Sequence, residues 1–134
     1  MTQYVIKFAI TFAVFITIDL IWLGIIAKPL YQYYLGNLLR TSPLWPAAIL
    51  FYSLFIIGLI IFAIDPAVLA KDVKKGFIMG GLFGFFTYMT YELTNWAVIK
   101  DWPGEIVAID ILWGIILSSS VCGISSYLYL KYIS

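Results

Sequence analysis

Asp19, Glu92 and Asp110 are the residues of this chain whose type and position could do chemistry, because each interrupts a stretch otherwise apolar enough to cross a membrane. A carboxyl group at the centre of a membrane helix costs about 2.5 to 3.5 kcal/mol on insertion scales. Three of them ask for a shared polar site. The chemistry that fits is proton transfer, in which a neutral acid beside a carboxylate divides the work of donor and acceptor.

Side chains near each acid could orient a substrate. Tyr91, Glu92, Thr94 and Asn95 crowd hydrogen-bonding groups into one segment, and hydrocarbon offers them no partner. Tyr52 and Tyr88 are further candidates, as are Trp22 and Trp113. Asp19-x-x-Trp22 and Asp110-x-x-Trp113 form an echo that an inverted repeat would produce. Histidine is absent, which removes the Ser-His-Asp and Cys-His nucleophiles and the His-based zinc motifs. Three acids could hold a hard cation, but none lies in a ligand-spacing motif, so neither metal nor other cofactor is expected. The lone Cys122 can form no intrachain disulfide.

The elements that must position these groups follow from composition. The chain has 134 residues, of which 63% are hydrophobic and 19% aromatic, and a mean hydropathy of +1.02. Soluble domains are about 45 to 50% apolar, so this is an all-α membrane protein. A net charge of +1 without a basic stripe excludes a nucleic-acid binder. Four apolar runs, 4–27, 45–64, 76–99 and 106–129, are each near the roughly 20 residues that cross a bilayer. They predict one domain, 1–134, of four transmembrane helices. The first run is too long for a signal-peptide core and lacks a small-x-small cleavage pattern.

Lys28-Pro29 and Asp65-Pro66 are expected to end the first two spans, the latter in a pattern that also suits the cap and first position of a short interfacial helix, and Trp102-Pro103-Gly104 to form the turn before the fourth. The connection between Pro29 and Pro43, with Tyr31, Tyr33 and Tyr34, predicts a short interfacial helix that could lid a cavity. Lys7, Lys71, Lys74, Lys75 and Lys131 on the side of the termini outnumber Lys28, Arg40 and Lys100, which puts both termini in the cytoplasm. Asp19, Glu92 and Asp110 then fall about 12 to 14 Å inside the outer helix ends, with Tyr52 near the same level. On the first helix Asp19 shares an aromatic face with Tyr4, Phe8, Phe12, Phe15, Trp22 and Ile26. On the third, Gly76, Gly80 and Gly84 recur every four residues and lead into Thr87, Tyr88 and Tyr91, with Glu92 at the edge of that face. Such glycines pack helices closely, against another helix of this chain or, in a homodimer or with a partner subunit, against a second one.

Tyr91-Glu92-Leu93-Thr94-Asn95, then Lys100-Asp101-Trp102-Pro103 and Asp110-x-x-Trp113-Gly114, together with Asp19-x-x-Trp22-Leu23-Gly24, Tyr34 and Gly36, resemble the small bacterial membrane proteins of domain-of-unknown-function family 2177. The resemblance covers nearly the whole chain. One departure is Glu92, where the family pattern has Asp before Leu-Thr-Asn; the longer arm keeps the chemistry but moves the carboxyl by one methylene. The resemblance implies a polytopic inner-membrane protein with no established activity. It also tilts the reading towards lipids, since members are encoded near enzymes that modify acyl chains. Three functions are consistent with the residues: an enzyme or enzyme subunit acting on a membrane lipid by acid-base chemistry, a proton-coupled small transporter, and a non-catalytic scaffold binding lipid or a partner.

Overall fold

Backbone in hydrocarbon must satisfy its own hydrogen bonds, and runs this apolar meet that demand as helices. The computed structural model describes residues 1–134 and contains helices and no strands. The first helical stretch runs through α1 (Thr2–Ile21), a π-helical turn (Trp22–Ala27), α2 (Lys28–Leu35) and a 3-10 turn (Gly36–Leu38). The second comprises α3 (Trp45–Leu59), a π-helical turn (Ile60–Ile64) and α4 (Asp65–Ala70), and is followed by α5 (Val73–Val98) and α6 (Gly104–Tyr132). Three of these stretches are long and apolar enough to cross a membrane: Thr2–Leu38, Trp45–Ala70 and Gly104–Tyr132. α5 has 26 residues and the length to cross, but Lys74, Lys75 and its polar groups between 87 and 95 lower its apolarity.

Neither Lys28-Pro29 nor Asp65-Pro66 ends its helix, contrary to the sequence expectation. A proline lacks an N–H and its ring crowds the carbonyl four residues earlier. Here both rings are accommodated by widening the helix just before them. Lys28 and Asp65, each immediately preceding a proline, donate their N–H five residues back, to Leu23 and Ile60, the bond that defines a π turn. The expected interfacial helix is therefore present as α2 but continues directly from α1. It has no fully buried residue. At 37 residues, or about 55 Å, the first stretch exceeds the ~30 Å of hydrocarbon and cannot lie wholly within it along the bilayer normal.

The stop signals that do operate are sharp. α4 ends at Lys71, with φ 52°, where the Asp72 N–H reaches the Ala67 carbonyl at 3.0 Å and the Lys71 N–H the Val68 carbonyl at 3.1 Å. That pair of bonds is a Schellman stop, and it leaves α5 to begin at Val73. Between α5 and α6 the chain turns at Asp101, with φ 63°, before Pro103.

α5 and α6 form the closest pair. Gly76, Gly80 and Gly84 are buried against α6. A Cβ on Gly80 would stand 2.5 Å from the Ser118 carbonyl oxygen and 2.7 Å from Cys122 Cβ, and one on Gly84 would collide with the Gly114 carbonyl. The Ser119 hydroxyl adds a bond to the Phe77 carbonyl at 2.8 Å. The face of Gly76, Gly80 and Gly84 is thus occupied by a helix of the same chain, one of the two packing arrangements the sequence left open. The same every-fourth-residue stripe continues to Glu92, which is buried with the glycines and not at the edge of the face.

The buried stripe of α1 is Lys7, Thr11, Phe15 and Asp19, narrower and more polar than the aromatic face expected; Tyr4 and Phe12 are exposed. Lys7 is 8% exposed because its ammonium meets Asp65 Oδ1 at 2.7 Å and lies 5.0 Å from the Tyr129 ring centroid. These contacts gather the start of α1, the start of α4 and the end of α6, so both termini lie at one end of the molecule. Above them sits the apolar core, centred on Phe15, Ile56, Leu59, Leu117 and Val121, all within 1% of full burial.

Candidate functional site

Asp-x-x-Trp places each Trp three residues beyond its Asp, about 4.5 Å along the helix axis. α1 and α6 are antiparallel, and the two motifs meet through their tryptophans: Trp22 and Trp113 stack with centroids 4.3 Å apart and planes 8° from parallel. Because the chains run in opposite directions, Asp19 lies on the terminal side of this stack and Asp110 on the distal side.

Each acid has a donor of its own. The Tyr52 hydroxyl of α3 donates to Asp19 Oδ2 at 3.2 Å, the Tyr31 hydroxyl of α2 donates to Asp110 Oδ1 at 2.6 Å, and the Trp102 indole N–H donates to Glu92 Oε1 at 2.9 Å. Glu92 and Asp110, on the closely packed α5 and α6, have side chains within hydrogen-bonding reach of one another. All three acids are buried, Glu92 most completely at 2% exposure.

Glu92 and Asp110 share a cavity of about 650 Å³. Its polar lining comes from those two carboxyls with Tyr31, Thr87, Tyr88 and Tyr91. The remainder is apolar or aromatic: Leu35 and Leu39 from the α2 region, Phe51 and Phe55 of α3, Trp102 of the turn and Ile106 of α6. A large, mostly apolar pocket with few convergent polar groups is the usual form of a small-molecule or lipid-tail site. Two carboxyls lining one cavity, each held by a separate donor, can pass a proton to and from a bound group.

Of the residues singled out from sequence, Glu92, Asp110, Tyr88 and Tyr91 line the cavity. Asp19, Tyr52, Trp22 and Trp113 stand behind its wall, around the stack. Thr94 is exposed and points away from Glu92, two residues or about 200° around the helix. Asn95 is half-buried one turn beyond Tyr91. Sequence reasoning did not assign Tyr31, Trp102, Phe51, Phe55, Leu35, Leu39 and Ile106 to the site. The tyrosine-rich connection was the only signal pointing to Tyr31; nothing in the spacing marks Trp102 as the partner of Glu92.

No curated protein and no solved structure matches the chain. The paired Asp-x-x-Trp motifs and the Glu92-Leu93-Thr94-Asn95 segment all fall within residues 4–128, which match the model of the predicted membrane protein family DUF2177, and the chain belongs to that family.

Proposed function

We propose that this chain binds a membrane lipid in the α2–α3–α5–α6 cavity and acts on its polar end by acid-base chemistry between Glu92 and Asp110. The observation that carries the reading is the pairing of two buried, separately hydrogen-bonded carboxyls with a cavity otherwise lined by apolar and aromatic side chains. In this reading α5 also crosses the membrane, making four spans, with its polar groups turned towards α6 and the cavity. Exposed Lys71, Lys74, Lys75 and Lys131 at the terminal end outnumber Lys28, Arg40 and Lys100 at the other, which favours cytoplasmic termini in a bacterial inner membrane. Lys7 no longer counts, since it is buried in an ion pair. The cavity then opens in the outer half of the bilayer.

A proton-coupled transporter needs a path to the other face. The plug of Phe15, Ile56, Leu59, Leu117 and Val121 beneath the cavity argues against one, and for a site reached from the lipid side. Asp19 belongs to that wall and holds the tryptophan stack; Glu92 and Asp110 would meet the substrate.

The test is the lipid profile of cells overproducing the wild type, Glu92→Gln, Asp110→Asn or Asp19→Asn at matched levels in the membrane. The wild type is expected to alter the amount of one lipid class. Removing either cavity acid should cut that change by about 100-fold or more, the usual worth of general acid-base catalysis, while Asp19→Asn retains it. An unchanged lipid profile with the wild type, or full effect from both cavity variants, would refute the proposal.

A further inference from the structure

α5 meets the second helical stretch through the π turn Ile60–Ile64. Towards the distal end α3 and α5 are bridged by rings instead: Phe55 stands 5.4 Å from Phe83 and 6.2 Å from Tyr88. The seam opens on the lipid-facing side into a groove of about 590 Å³ lined by Phe62, Met79, Leu82, Phe83, Phe86 and Thr90, with Thr87. Thr87 also lines the acid cavity, so the two spaces adjoin at that residue. Its hydroxyl donates to the Phe83 carbonyl at 2.8 Å and that of Thr90 to the Phe86 carbonyl at 2.6 Å. Both threonines are therefore silent as polar groups and add only apolar surface to the junction and the groove.

We infer that the cavity and the groove form one track for a long-chain lipid, with its polar end between Glu92 and Asp110 and one acyl chain leaving sideways past Thr87 along α5 towards Met79. This rests on the lipid reading above and adds the direction of the chain. From Glu92 to Met79 is 13 residues of α5, about 20 Å, which suits an extended long acyl chain. The polar end faces the distal side and the chain points towards the terminal end, the orientation of a lipid in the leaflet at the distal side. An occupant without a long apolar chain would leave the groove unused.

Photolabelling of the full-length protein in phosphatidylethanolamine vesicles tests this, with two probes that place a diazirine either beside the headgroup or at the end of one acyl chain. The headgroup probe should label Tyr88, Tyr91 or Trp102, and the chain-end probe Met79 and Leu82, at about tenfold over Leu112, a lipid-exposed site on α6; tenfold corresponds to about 1.4 kcal/mol of preference. Thr87→Trp, which fills the junction, should abolish the excess at Met79, and Thr87→Val, which keeps its shape, should preserve it. If the headgroup probe labels the cavity but the chain-end probe labels Leu35 or Leu39 instead, the track is wrong and the lipid reading survives. If the headgroup probe labels the cavity no more than Leu112, the lipid reading itself fails. Should Thr87→Trp not fold, the wild-type distribution of chain-end label decides: even labelling of Met79, Leu82 and Leu112 overturns the track.

Discussion

Gly84→Ala and Gly81→Ala are the same chemical change three residues apart on one helix, and the structure gives them opposite signs. At Gly84 the new methyl meets the backbone carbonyl of Gly114 and the Ser118 side chain. A carbonyl cannot rotate away, so α6 must shift, and overpacking of this kind costs about 1 to 3 kcal/mol. Alanine returns about 1 kcal/mol of helix propensity, leaving a net loss of about 0 to 2 kcal/mol. At Gly81 the methyl stands 3.5 Å from Ser119 Cβ, an ordinary contact, and the propensity gain of up to ~1 kcal/mol remains. The two variants should thus differ by about 1 to 3 kcal/mol. Glu92 lies eight residues beyond Gly84 on the same stripe, so the shift also separates Glu92 from Asp110, and Gly84→Ala should lose function that Gly81→Ala keeps. Reversible unfolding in mixed micelles measures the stabilities, and the lipid profile the function. Equal stability of the two variants would refute the close α5–α6 contact on which the placement of the acids depends.

Lys7→Met leaves Asp65 without its partner. Asp65 keeps some access to solvent, its side chain being 24% exposed, so the loss should fall below the 3 to 5 kcal/mol typical of a fully buried pair, at about 1 to 3 kcal/mol. Adding Asp65→Asn should recover part of it, measured as a coupling in a double-mutant cycle; no coupling would mean that the two side chains do not pair. Tyr31→Phe removes the 2.6 Å bond that ties α2 to Asp110. Since no α2 residue is fully buried, amide hydrogen exchange across Lys28–Leu35 should accelerate by about two- to tenfold, for a hydrogen bond worth about 0.5 to 1.5 kcal/mol. Unchanged exchange would show that α2 is held by something other than this bond.

The helices were legible because composition and run length carry them: an apolar run of 20 residues has few options other than a helix in hydrocarbon. Their ends were less so. Pro29 and Pro66 read as stops by local rules, yet the chain has a second way to relieve a proline, a π turn, that leaves no mark in the sequence. The pairing of Lys7 with Asp65 was hidden for a related reason. One looked like a membrane anchor and the other like a helix terminus, and they are 58 residues apart. Burial of Glu92 could have been read from the glycine stripe, because Gly76, Gly80, Gly84, Tyr88 and Glu92 share a spacing of four. The cavity itself could not, since its shape depends on how far α3 stands from α5.

The two Asp-x-x-Trp motifs show how acids set in similar local sequence come to lie in unequal surroundings. Antiparallel packing turns the repeat into a near-symmetric unit about the tryptophan stack, and each aspartate receives a tyrosine hydroxyl from another helical element, Tyr31 for Asp110 and Tyr52 for Asp19. What breaks the symmetry is the third neighbour. Asp110 opens with Glu92 onto the cavity, whereas Asp19 does not line it and is bonded to Tyr52, against which Phe15 of the core stands edge-on at 5.5 Å. In the proposed function a proton passes between these two acids and the polar end of the bound lipid. In the proposed function Asp19, held by Tyr52 outside the cavity lining, serves the site by supporting the tryptophan stack on which Asp110's helix packs.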